Sequence, residues 1–125
     1  MSRRILVIED QEDNRRIIRD LLTNAGYEMI EALDGEAGVR LAKSERPDLI
    51  LMDIQLPLID GYEATRQIKA EEELRPIPII AVTSYALSGD DTKARLAGCD
   101  AYVAKPFSPR KLLAKIQQLL PPTGN

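Results

Sequence analysis

Short, wholly apolar runs alternate along this chain with stretches in which apolar residues return every three or four positions. The first run, Ile5 to Ile8, has no polar alternation, as expected of a strand covered on both faces. Asp13 and Asn14 offer N-caps to a helix whose stripe is Ile17, Ile18, Leu21, Leu22 and Ala25, and Gly26 supplies its stop. Tyr27 to Leu33 predicts a second strand; Asp34-Gly35 opens a helix carrying Ala37, Val39, Leu41 and Ala42, closed by Pro47. Asp48 to Asp53 predicts a third strand, central because its interior is Leu, Ile and Met throughout. Pro57, Asp60 and Gly61 mark a loop and cap before a helix with Ala64, Ile68 and Leu74. Pro76 and Pro78 bracket the start of a fourth strand, Ile79 to Val82, where proline fits only the first residues. A loop from Ser84 to Asp91 leads into a short helix ending at Gly98, and Ala101 to Ala104 predicts the fifth strand. Ser108 then caps a last helix with Pro109 in its first turn and Leu112, Leu113, Ile116, Leu119 and Leu120 along it; Pro121-Pro122 ends it.

Strict strand–helix alternation specifies an α/β fold, a doubly wound parallel sheet with right-handed crossovers and helices on both faces. The flavodoxin-like strand order 2-1-3-4-5, in three α/β/α layers, makes the first and third strands neighbours. Four of the runs finish in an ionisable or hydroxyl residue, and this order gathers Glu9, Asp10, Asp53, Thr83 and Lys105 at the carboxyl edge of the sheet. Open α/β folds bind ligands at that edge.

Composition narrows the chemistry. At 125 residues the chain is expected to be one domain, residues 1–125, with its own core and no output domain. A net charge of −3 argues against a nucleic-acid surface. The basic pairs Arg3-Arg4 and Arg15-Arg16 lie beside Glu9, Asp10, Glu12 and Asp13 and read as solvated or partner-facing charge. No histidine is present, which removes Ser-His and Cys-His catalysis and histidine metal ligation; the single cysteine, Cys99, reads as a packing residue. No signal-like or membrane-length apolar stretch occurs, so a cytoplasmic location without membrane contact is expected.

Clustered carboxylates repel one another, and a divalent cation is the usual means of keeping them ionised. Magnesium takes oxygen ligands and keeps waters, so one or two carboxylates and a phosphate oxygen suffice. Asp10 and Asp53 are the expected direct ligands, with a backbone carbonyl near Gln55 as a third and Glu9 acting through water. Lys105 and the Thr83 hydroxyl suit phosphoryl oxygens, and Lys105-Pro106 is compatible with either a cis or a trans bond. A nucleophile at a strand end, with metal and lysine on either side, is met by Asp53, provided it lies near residues 9 and 10 and opens to solvent. Carboxylates do form aspartyl phosphates. Without histidine, the phosphoryl donor must come from outside. Asp13, Asp34 and Asp60 read as caps or turn formers, and Met29, Met52 and Phe107 as packing.

These residues carry a family resemblance. Glu9-Asp10, the segment Asp48-Leu-Ile-Leu-Met-Asp53-Ile-Gln-Leu-Pro57 with Asp60-Gly61, Thr83-Ser84 and Lys105-Pro106-Phe107 together resemble the receiver domain of bacterial two-component response regulators. Within it, Thr83-Ser-Tyr-Ala-Leu-Ser-Gly-Asp90 and Gly98-Cys-Asp-Ala-Tyr102 look most like the stand-alone DivK type. The resemblance implies that Asp53 accepts a phosphoryl group from a phosphohistidine on a histidine kinase or histidine phosphotransfer protein. It implies magnesium, with Mn2+ as a substitute, at Glu9, Asp10, Asp53 and the Gln55 backbone carbonyl. It further implies Lys105 on the phosphoryl oxygens, Thr83 as switch hydroxyl, and Tyr102 as switch aromatic, its bland alternative being a half-buried strand tyrosine. Gln55 and Tyr85, each two residues beyond a site residue, would tune the lifetime of the phosphorylated form. Ser84 stands where many members carry alanine. A downstream protein target would meet the face of the fourth helix, fifth strand and last helix, on a monomer or weak dimer. Two other classes compete: a small phosphatase or phosphotransferase with an aspartyl nucleophile, disfavoured by Gln55 in place of a second acid, and a scaffold that keeps the fold but not the switch, disfavoured by the intact site.

Overall fold

The computed structural model describes residues 3–83 and 90–121. Strands β1 (Arg4–Ile8), β2 (Glu28–Ala32), β3 (Leu49–Asp53), β4 (Ile79–Thr83) and β5 (Ala101–Ala104) alternate with helices α1 (Glu12–Asn24), α2 (Gly35–Glu45), α3 (Gly61–Ala70), α4 (Asp90–Ala97) and α5 (Pro109–Leu119). The sheet is parallel throughout, in the order β2-β1-β3-β4-β5.

The two-residue period of a strand divides the core into halves. Leu6, Ile8, Ile50, Met52, Ile79 and Ala81 face Val39 and Ala42 of α2, Ala64 and Ile68 of α3 and Ala94 of α4. Ile5, Val7, Leu49, Leu51 and Ile80 face Ile18 and Leu22 of α1 and Leu112 and Ile116 of α5. Every residue of β3 and β4 is buried, as their unbroken apolar runs require. Helix ends use the expected residues in three cases: the side chains of Asp34, Asp60 and Ser108 accept from the Ala37, Glu63 and Lys111 amides. Gly26 closes α1 at φ +89°, and Lys105-Pro106 is cis.

Four details differ from expectation. Helix α1 starts before Asp13, with Gln11 as an N-cap whose side chain makes no capping bond. The Glu9 carboxylate takes the Gln11 amide instead, at 3.1 Å, so the chain turns into the helix earlier. Ile17 is 47% exposed and stands off the buried stripe of Ile18 and Leu22. Helix α3 stops at Ala70, and Leu74 reaches the core from the turn that follows. Arg15 is not a solvated charge: it is buried, with its guanidinium on the Glu9 carbonyl. The expected loop from Ser84 lies outside the described residues up to the start of α4 at Asp90.

Candidate functional site

Strand β1 ends by delivering Glu9 and Asp10, and strand β3, its neighbour, ends on Asp53. One carboxylate oxygen from each of Glu9, Asp10 and Asp53 lies within 4.8 Å of the other two. Glu9 and Asp53 are buried while Asp10 is exposed, so the cluster meets solvent on the Asp10 side. Proximity to residues 9 and 10 is as expected for Asp53. Its openness is not, since only 3% of Asp53 is exposed.

Lys105 lies against it. Its ammonium, just beyond β5, donates to Glu9 Oε1 and to Asp53 Oδ2, each at 3.1 Å. The remaining oxygens of both carboxylates accept backbone amides, Gln11 N–H on Glu9 and Gln55 N–H on Asp53, both at 3.1 Å. Burial, reinforced by the neighbouring Asp53 carboxylate, pushes the Glu9 carboxyl above its ordinary range. Burial works against the Lys105 ammonium, but the charges of Asp53 and Glu9 outweigh it and raise its pKa.

Thr83 ends β4 fully buried, and its carbonyl accepts the Lys105 amide at 2.6 Å. In the β4–β5 register Ala81 pairs with Tyr102 and Thr83 with Ala104. Paired residues project to the same face of a sheet, so Thr83 and Tyr102 share the face covered by α2, α3 and α4. Tyr102 is half-buried against that core. Gln55 is exposed; Tyr85 lies outside the described residues. Cys99 is buried with its thiol 3.7 Å from Thr65 Oγ1, and burial raises its pKa, in keeping with a packing role. Asp34 and Asp60 are caps, as read.

The donor set fits a hard divalent cation: three carboxylates converge on one side of a site where a positively charged group already bridges two of them. Beside this cluster, Asn14 and Ile17 of α1 and Lys105, Pro106, Phe107 and Pro109 line a largely apolar groove. Sequence reasoning missed Arg15, whose buried guanidinium donates to the Glu9 carbonyl at 2.9 Å. The only available signal was its position one helical turn after Glu12, and charged pairs at that spacing are common on solvated helices.

Residues 5–117 match the response regulator receiver domain family. The polar-differentiation response regulator DivK of Brucella anthropi is 44% identical over 120 residues, covering 96% of this chain and 98% of the relative. Among solved structures, the receiver domain of a sensor histidine kinase from Pseudomonas aeruginosa PAO1, with a magnesium ion coordinated in its active site cleft, superposes with a TM-score of 0.88 at 42% identity, covering 95% of this chain and 98% of that one. The receiver domain of the response regulator Ssk1, in its co-crystal with the histidine phosphotransfer protein Ypd1 of Saccharomyces cerevisiae, gives a TM-score of 0.88 at 31% identity, covering 94% and 88%.

Proposed function

Since this chain belongs to the response regulator receiver domain family, we propose that Asp53 is its phosphoacceptor, loaded from a phosphohistidine of a histidine kinase or histidine phosphotransfer protein. One observation carries the reading: Glu9, Asp10 and Asp53 converge within 4.8 Å while Lys105 bridges the two buried members. Asp53 Oδ2, the oxygen that meets Lys105, is the nucleophile; Oδ1 stays with the Gln55 amide. A P–O bond forms to Oδ2 as the P–N bond of the donor breaks, and the imidazole leaves with the electron pair.

For this, Lys105 must move off Asp53 Oδ2 and follow the negative charge onto the incoming phosphoryl oxygens. Glu9, Asp10, Asp53 and the Gln55 backbone carbonyl would hold magnesium, or manganese in its place, and the ion would supply charge neutralisation for the phosphoryl group. The hydroxyl of Thr83, one strand away, is the switch. Its inward movement frees room on the shared sheet face for Tyr102, and the surface of α4, β5 and α5 changes for a downstream protein. The groove beside Lys105 suits the donor, because an apolar helix seated there brings its phosphohistidine to the acidic cluster. Gln55 and Tyr85 tune how long the phosphoryl group survives. The protein acts in the cytoplasm as a monomer or weak dimer, catalyses only its own phosphorylation and dephosphorylation, and contacts neither nucleic acid nor membrane. No described helix is long and apolar enough to cross a membrane.

Intact-mass analysis after incubation with magnesium and acetyl phosphate tests this. Wild type gains one phosphoryl adduct, lost on Asp53→Asn and on chelation. An adduct that survives Asp53→Asn refutes the assignment, and turnover of many small phosphate esters would favour an enzyme instead.

A further inference from the structure

We propose that Arg15 is a positioning residue of the acidic site, a buried guanidinium that holds the Glu9–Asp10 peptide in the arrangement a divalent cation needs; the inference rests on the magnesium reading above. Arg15 is 8% exposed, although a buried charge is costly unless its donors are met. Two of its nitrogens are met: Nη1 donates to the Glu9 carbonyl at 2.9 Å and Nη2 to the Glu12 carboxylate at the start of α1. Nε has no hydrogen-bond partner among the described residues and is held by charge alone, 3.3 Å from Glu31 Oε1 on β2. The Glu9 amide, for its part, donates to the Ala32 carbonyl at 3.0 Å. Residue 9 is therefore fastened at both its backbone groups. The carbonyl held by Arg15 belongs to the peptide linking Glu9 to Asp10, so its orientation sets how both carboxylates face Asp53.

Charge balance suits this role. Glu31 also binds Arg19 through two bonds, at 2.7 and 3.1 Å, so the cluster of Arg15, Arg19, Glu12 and Glu31 is neutral. It can hold the acidic turn without repelling a cation. Fastening α1 to β2 does not require Arg15, because Arg19 already spans that gap. What Arg15 adds is the bond to the Glu9 carbonyl, and a rigid planar fork that reaches this carbonyl and the Glu12 carboxylate together is a property of arginine that lysine lacks.

The test has opposite signs for a positioning role and for a role through charge alone. Removing the guanidinium leaves the cluster negative, which by electrostatics would tighten cation binding; losing the hold on the turn loosens it. Magnesium is titrated calorimetrically into wild type, Arg15→Ala and Arg15→Lys, with urea unfolding measured on each. Positioning predicts about tenfold weaker magnesium binding by folded Arg15→Ala, the lower end for loss of a group that orients metal ligands, and an intermediate loss in Arg15→Lys. Affinity in Arg15→Ala equal to or above wild type overturns the inference, even if stability falls. Should Arg15→Ala not fold, an Arg15→Lys affinity equal to wild type overturns it equally. Wild type that binds no magnesium would instead refute the reading of the site itself.

Discussion

At Gly61 a Cβ would stand 2.4 Å from the Asp53 carbonyl oxygen and 2.7 Å from Ile54 Cα. Both are backbone atoms next to the proposed nucleophile, and the Gly61 amide already binds the Ile54 carbonyl at 2.9 Å. Neither neighbour can swing away as a side chain could. Gly61→Ala is expected to cost roughly 1–3 kcal/mol, the range for forced overpacking, read as a lower urea midpoint. It should also slow adduct formation from acetyl phosphate, because the clash is relieved by moving the strand end that carries Asp53. Gly26 has the contrary profile: its φ is +89° and nothing lies within 4 Å of a Cβ there. Gly26→Ala should cost about 1 kcal/mol from left-handed strain and leave phosphorylation unchanged.

Between elements, a few ionised side chains add joints to the apolar packing of the two sheet faces. Lys69 on α3 donates to the carbonyls of Arg75 and Ile77, at 2.9 and 2.7 Å, and reaches Asp100 Oδ2 at 3.2 Å. That same oxygen accepts the amide of Ile79, the first residue of β4, so one ammonium ties the end of α3 to the entries of β4 and β5. Lys69→Met keeps the stem and removes the donors; leaving the part-buried Ile77 carbonyl unmet should cost about 1 kcal/mol in denaturant unfolding, the lower end for a buried acceptor. At the opposite edge, the Arg19 hydrogen bond holds the Glu31 carboxyl below its ordinary value. A depressed carboxylate adds stability that is complete above its unfolded value of about 4.3 and disappears as pH falls through the folded value. Wild type should therefore exceed Glu31→Gln in stability near neutral pH, and the gap should close in unfolding curves taken below about pH 4. Glu31 is partly solvated, so the gap should be at most ~1 kcal/mol.

For the molecule as a whole, the carboxyl edge of the sheet is where function and stability meet. Burying Glu9 and Asp53 side by side works against folding, because burial and then the neighbouring carboxylate both disfavour the ionised Glu9, and Lys105 offsets it in part. A cation that binds the folded site and not the unfolded chain should add stability with its concentration. At one hundred times its dissociation constant magnesium should add about 2.7 kcal/mol to wild type. Asp53→Asn should gain much less, and thermal melts with and without chelator would read the difference. Equal gains would place the ion elsewhere.

The strands, their parallel order and the convergence of Glu9, Asp10, Asp53, Thr83 and Lys105 on one edge were all legible in the amino-acid order. Those features rest on local periodicity, and the fold rule for alternating strands and helices turns periodicity into position. Pairs of charges are not legible in that way. Arg15 and Arg16 are neighbours of the same type, yet helical geometry turns one beneath the acidic turn and leaves the other in solvent. The contact of Lys105 with Asp53, the seating of Leu74 from a turn and the exposure of Ile17 likewise depend on which elements pack together. Their partners lie far away along the chain, and only the folded backbone sets the distances between them.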